Sequence, residues 1–96
     1  LREMVSAGFE IIIVAVAAEG LRKEWLGRKI DEKCIEELLQ LCSKYGINIS
    51  GEGGEYETFV LDCPLYGKKL IVEKAEKKWE GGRGTLNIKK VRMEDK

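Results

Sequence analysis

The hydrophobic pattern along the chain changes period twice, and each change marks an element. Ile11 to Ala18 (IIIVAVAA) is apolar at every position. The run is rich in β-branched residues and much shorter than the roughly 20 residues a membrane helix needs. With Phe9 and Glu10 leading in, it predicts a strand over 9–18 that is buried on both faces. Ahead of it, Leu1 to Ala7 reads as the last turns of a helix stopped by Gly8, because glycine accepts the left-handed conformation that follows many helices. A helix that feeds a buried strand is the ordinary order of an α/β sheet. Residues 19–28 carry no clean period and predict a loop with one helical turn.

From Asp31 the period lengthens to that of a helix. Ile35, Leu38, Leu39, Cys42 and Tyr45 form one apolar stripe, with Glu32, Lys33, Glu36, Glu37 and Lys44 facing out. Asp31 is suited to cap the free amides of the first turn. Ile30 and Ile35 are spaced for a hydrophobic staple, and Gly46 is placed to end the helix. Beyond the glycine-rich stretch that follows, the period falls to two. Thr58 to Cys63 predicts a strand ended by Pro64, with a turn at Tyr66-Gly67. Lys69 to Lys77 predicts a second strand, Gly81-Gly82-Arg83-Gly84 a loop, and Leu86 to Met93 a third strand. Its apolar phase slips between Ile88 and Val91, which predicts a β-bulge near Lys89-Lys90. The expected fold class is α/β, as an α+β-like fragment: one buried strand, one main amphipathic helix, then an antiparallel three-stranded meander whose strand order stays open.

Composition narrows the function. Ninety-six residues allow one small domain with one core, taken here as spanning 1–96. Seventeen basic and seventeen acidic residues cancel, so bulk charge gives no case for direct nucleic-acid binding. No run reaches membrane-spanning length, and no membrane partner is expected. Three widely spaced cysteines without a C-x-x-C pair, and no histidine, argue against a zinc site. Cys34 and Cys42 fall in the helical pattern as small core residues, and the odd count fits a reducing, cytoplasmic setting. Lys68-Lys69, Lys77-Lys78 and Lys89-Lys90 read as solvated strand edges that discourage edge pairing. Trp79 reads as packing or interface.

The chemistry concentrates in Gly51-Glu-Gly-Gly-Glu-Tyr-Glu-Thr58, where three glycines and three carboxylates share eight positions. It could be a plain connection, but a turn needs one or two glycines. Adjacent acids repel and gain nothing structurally. Glycines let a ligand approach the main chain, and successive amides can form an anion-binding concavity. The carboxylates suit a cation: magnesium, an ammonium group or an arginine. In an extended chain Glu55 and Glu57 share one face and Tyr56 takes the other. Two acids on one face can share a proton, which lets one act as a base near neutral pH. The stretch is neither a Walker loop nor a dinucleotide fingerprint.

This stretch, followed by Phe59-Val-Leu-Asp-Cys-Pro-Leu-Tyr66, closely resembles the motif of the diphthine–ammonia ligases, diphthamide-synthesis enzymes of the ATP pyrophosphatase (PP-loop) superfamily. Ala7-Gly-Phe-Glu10, Gly20-Leu21 with Trp25-Leu-Gly-Arg-Lys-Ile-Asp31, and Tyr45-Gly-Ile-Asn48 resemble the same family. The resemblance covers the chain to about Val72, with a weaker match through the last strand. It implies a carbon–nitrogen ligase that activates the carboxylate of diphthine on translation elongation factor 2 with ATP and lets ammonia displace AMP. It also implies an N-terminal ATP-binding domain outside this chain, so that the chain alone is expected to be inactive. On that footing Glu52, Glu55 and Glu57 are the expected catalytic carboxylates, collecting ammonium and accepting its proton. Gly53, Gly54, Thr58 and Arg28 are the expected substrate-binding residues. No protein metal site is expected, although magnesium could accompany ATP. An exposed sheet edge could pair with a second copy, giving a homo-oligomer. The rival expectation is non-enzymatic: an interaction module whose acidic glycine loop binds a metal or a basic peptide.

Overall fold

The computed structural model describes residues 2–18, 20–46 and 56–96. A short helix α1 (Arg2–Ser6) leads into strand β1 (Glu10–Val16); a 3₁₀ turn (Lys23–Trp25) and helix α2 (Glu32–Tyr45) follow, then strands β2 (Tyr56–Asp62), β3 (Lys68–Glu80) and β4 (Arg83–Asp95). The four strands form one antiparallel sheet in the order β2-β1-β4-β3. The class is therefore α+β, with one main helix against a four-stranded sheet.

The helix ends follow the local chemistry. Gly8, at φ 92°, closes α1: its N–H donates to the Val5 carbonyl and the Phe9 N–H donates to the Met4 carbonyl, a Schellman pair. The Asp31 carboxylate caps α2 by accepting from the Cys34 N–H at 2.8 Å. Ile30 and Ile35, the staple pair, are both buried. Gly46 is left-handed at φ 72° and its N–H donates to the Cys42 carbonyl. The inner stripe of α2 is Cys34, Ile35 and Leu38, with Leu41 and Cys42 partly buried behind them. Leu39, expected on that stripe, is exposed: it lies one residue, about 100° of helix, off the face that Cys34, Leu38 and Leu41 set.

β1 is covered on both sides, as its unbroken apolar run predicts. Ile11 and Ile13 are buried in the main core with α2, while Ile12 is buried on the opposite face. The sheet reaches that second face by curling: β2 and β3 stand at opposite ends of the strand order yet touch. β1 also lacks a full-length neighbour on its β4 side. Only Ala15 and Val16 pair with Thr85 and Gly84. Lower down, the segment after the 3₁₀ turn takes that edge, with the Gly27 N–H donating to the Ile13 carbonyl at 2.7 Å and the Ile30 N–H to the Ile11 carbonyl at 2.8 Å.

Two expectations about the strands change. The last three strands are not neighbours in sequence order, because β1 stands between β2 and β4. β2 packs back on the most apolar strand, which buries more surface than pairing with the charged β3 would. The expected loop over Gly81–Gly84 shrinks to Gly81-Gly82, both at positive φ, which is the two-residue turn that matches strand twist. Arg83 and Gly84 therefore belong to β4, and β3 and β4 run longer than the apolar pattern suggested. Lys68-Lys69 and Lys77-Lys78 lie on the edge strand β3, and Lys89-Lys90 lie on the part of β4 that β1 does not pair with. The bulge near Lys89-Lys90 is present. Glu73 on β3 and Lys89 on β4 are both skipped, one on each strand, so the register is the same on either side.

Candidate functional site

Tyr56 opens β2 and fixes where the motif joins the sheet. It pairs with Val16, is 3% exposed and belongs to the core. Strand alternation then sends Glu57, paired with Ala15, to the outside. There it lines a cavity of about 280 Å³ together with Ala15, Ala17, Arg83, Gly84 and Thr85. The cavity exists because β4 leaves β1 after two residue pairs, which brings the tip of the β3–β4 hairpin over the end of β1. A second cavity of about 420 Å³ shares Ala17 and Arg83 with the first, and its other walls include Leu21, Arg22, Trp79, Gly81 and Gly82. Its walls hold no acidic side chain among the described residues.

Gly84 is what seats Trp79. A Cβ at that position would fall 2.6 Å from the indole and 2.9 Å from Leu26 Cδ1, so only glycine lets the ring and the strand come together. Trp79 remains 38% exposed. Glu57, Arg22 and Arg83 make no ion pair among the described residues. A carboxylate and a guanidinium lining the same cavity offer opposite services: the first attracts a cation and accepts a proton, the second donates paired hydrogen bonds to an oxyanion.

The other expected site residues fall elsewhere. Glu52, Gly53, Gly54 and Glu55 lie outside the described residues. Thr58 is exposed on β2, pairs with Ile13 and does not line the Glu57 cavity. Arg28 is engaged against α2. Its guanidinium stacks 4.5 Å from the centre of the Trp25 ring and pairs with Glu37 of α2, whose Oε2 is shut off from solvent. Trp25 is a buried core residue. The same cluster bears on Cys34: burial pushes its thiol above the usual range, Arg28 pulls it back in part, and Asp31 and Glu37 add to the rise.

Sequence reading missed Arg22 and Arg83, and it read Trp79 as packing or interface. The available signal was Gly81-Gly-Arg-Gly84, an arginine held between glycines at a hairpin turn, with an aromatic residue just upstream. A further cavity, of about 480 Å³, lies inside the curl of the sheet. Its lining is apolar apart from Glu10 and Lys77, so it lacks the converging reactive groups of the hairpin tip.

Known proteins resemble this chain along nearly all of it. The family model of the diphthamide synthase C-terminal domain matches residues 1–93. A diphthine–ammonia ligase of Bos taurus is 51% identical over 77 residues, which is 79% of this chain and 28% of the relative. The diphthine–ammonia ligase of Homo sapiens is 49% identical over the same shares. That of Schizosaccharomyces pombe is 43% identical over 76 residues, covering 12% of its length. The chain thus spans 28% of the mammalian relatives and less of the yeast one.

Proposed function

The chain belongs to the diphthamide synthase C-terminal domain family, and from that premise we propose that it is the C-terminal part of an ATP-dependent ligase that amidates diphthine on translation elongation factor 2. The observation that carries the reading is the hairpin-tip cavity, where the one described carboxylate of the motif, Glu57, lines the same space as Arg83.

The chemistry asked of the site is the reaction of an activated carboxylate with ammonia. Nitrogen attacks the acyl carbon, the bond from that carbon to the phosphate oxygen breaks, and AMP leaves with the electron pair. From ammonium to amide the nitrogen must lose two protons, one before attack and one after the new bond forms. Glu57, with Glu52 and Glu55 of the same motif, attracts ammonium and takes the first, so that neutral ammonia is the attacking species, and a second carboxylate of the motif takes the other. The amides of Gly53 and Gly54 hold the acyl group, and Arg28 keeps the loop after β1 in place from behind. ATP and any magnesium are held mainly by an N-terminal ATP-binding domain, and the setting is cytoplasmic. Among the described residues no helix is long and apolar enough to cross a membrane.

The test is direct. The full-length protein is incubated with ATP, ammonium and elongation factor 2 carrying diphthine, and the modified peptide is weighed by mass spectrometry. The reading expects conversion of carboxylate to amide that requires both ATP and ammonium. Failure to form the amide, or its formation with ATP left out, rejects it.

A further inference from the structure

The two ends of the β3–β4 ribbon treat their cations differently. Away from the turn, Lys68 is paired with Asp95, Lys89 with Glu76, Lys90 with Glu73, and Arg92 with Glu73 and Glu94. At the turn, Lys78 and Arg83 are exposed and make no ion pair among the described residues, although Glu80 stands opposite Arg83 in the ladder. Arg22, which reaches the same place from the loop after β1, is exposed and unpaired in the same way. Trp79 and Arg83 line two hollows, one of about 420 Å³ shared with Arg22 and one of about 430 Å³ shared with Lys78. The register joins this tip to Glu57. Glu57 pairs with Ala15, Ala15 with Thr85, and Thr85 with Lys78, so these four stand in one row on one face of the sheet. Strands lie about 4.8 Å apart, so the row spans about 14 Å from Glu57 to Lys78.

We infer that Arg22, Lys78 and Arg83, with Trp79 as an apolar anchor, form a docking surface for an acidic segment of a protein partner. The chain as a whole is neutral, so the excess of free positive charge at the tip is local. Guanidinium groups bind carboxylates through paired, charge-assisted hydrogen bonds. An exposed tryptophan beside arginines is the residue set that dominates protein interfaces. The row from Lys78 to Glu57 has the reach of a short peptide, which a single small ligand does not cover. Glu57 and Glu80 stand on the same face as Lys78 and would repel a chain of phosphates, whereas a protein segment can place its carboxylates singly. The inference rests on the ligase reading only for the partner's identity, which is then the protein substrate. Its acidic residues sit on the tip while its reacting side chain crosses the short Ala15 and Thr85 to reach Glu57.

The experiment uses the full-length protein and a double variant, Arg22→Glu with Lys78→Glu. Fluorescence anisotropy follows three labelled probes: a short peptide rich in aspartate and glutamate, a lysine-rich peptide of the same length, and a single-stranded oligonucleotide. The acidic peptide should bind best, and the double variant should weaken it at least about tenfold. Added salt should weaken the parent far more than the variant. Arg22→Lys with Lys78→Arg, which keeps both charges, should retain most of the binding. In amidation assays the double variant should raise KM for elongation factor 2 carrying diphthine at least about tenfold, while KM for ammonium, kcat and the melting temperature stay within a few-fold or a few degrees of the parent. Equal binding of the acidic peptide by parent and double variant overturns the surface. Tighter binding of the oligonucleotide than of the acidic peptide also overturns it, in favour of nucleic acid. Peptide binding lost in the double variant, with no amidation by the parent, rejects the ligase reading and keeps the surface. Amidation with an unchanged KM for the elongation factor in the double variant rejects the surface and keeps the ligase.

Discussion

Tryptophan, arginine and glutamate meet twice in this molecule, and the two meetings end differently. Beside α2, Trp25 is buried, Arg28 lies on its ring, and Glu37 closes on the guanidinium. At the hairpin tip, Trp79 is 38% exposed, and Arg83 and Glu57 line a cavity without forming an ion pair. The same three side-chain chemistries thus make a closed structural cluster in one place and an open cleft in the other. Backbone decides which. The Gly27–Ile30 segment is hydrogen-bonded along β1 and holds Arg28 against the core. β4 leaves β1 after Val16 and Ala15, so nothing draws Arg83 and Glu57 together. Charges held apart around a cavity stay available to a ligand; charges already paired do not.

The largest effect expected is catalytic. Glu57→Gln in the full-length protein should slow amide formation by at least about 100-fold, the low end of what a positioned proton acceptor contributes. Single-turnover mass spectrometry of the elongation-factor peptide measures it.

Next comes the contrast between the tryptophans. Trp25→Ala should cost about 3–5 kcal/mol of stability, because a buried ring leaves a cavity and strips the cover from Arg28. Trp79→Ala should cost about 1 kcal/mol, because much of its ring surface already meets water. Urea denaturation of the 96-residue chain compares them, and equal losses would erase the distinction between closed and open clusters.

Smaller again is Gly84→Val, expected to cost about 1–3 kcal/mol by forcing new atoms into Trp79 and Leu26. It should also shift the tryptophan fluorescence, which a purely local backbone effect would not. The smallest effect is on pH dependence. Burial raises the Cys34 thiol above its ordinary value of 9.0. The unfolded chain therefore loses that proton first as pH rises, and stability should hold below about pH 9 and fall above it. Cys34→Ala should flatten this decline in denaturation curves collected across that range.

Much of the fold could be read from local chemistry. Asp31 and Gly46 announce the ends of α2, and Gly8 the end of α1, because capping depends on a few neighbouring residues. The bulge was visible in the slipped phase of Ile88 and Val91. Leu39 was misplaced because Leu38, Leu39 and Leu41 are equally apolar, and only the sheet beneath selects the inner face. Strand order was not legible, since it depends on which surfaces β1 offers once folded. The site divides in the same way. Glu57 stood out within a dense motif, whereas Arg22 and Arg83 are far apart in sequence and become a pair only when the hairpin tip meets the loop after β1.

The central claim is that the open cluster works and the closed one supports. The measurement that tests it most directly sets Glu57→Gln beside Glu37→Gln in the full-length protein and reads amidation rate and melting temperature for each. The account predicts that Glu57→Gln loses the rate and keeps the melting temperature, while Glu37→Gln lowers the melting temperature and keeps the rate within a few-fold. Amidation by Glu57→Gln at the parent rate, or equal loss of rate in both variants, would contradict it.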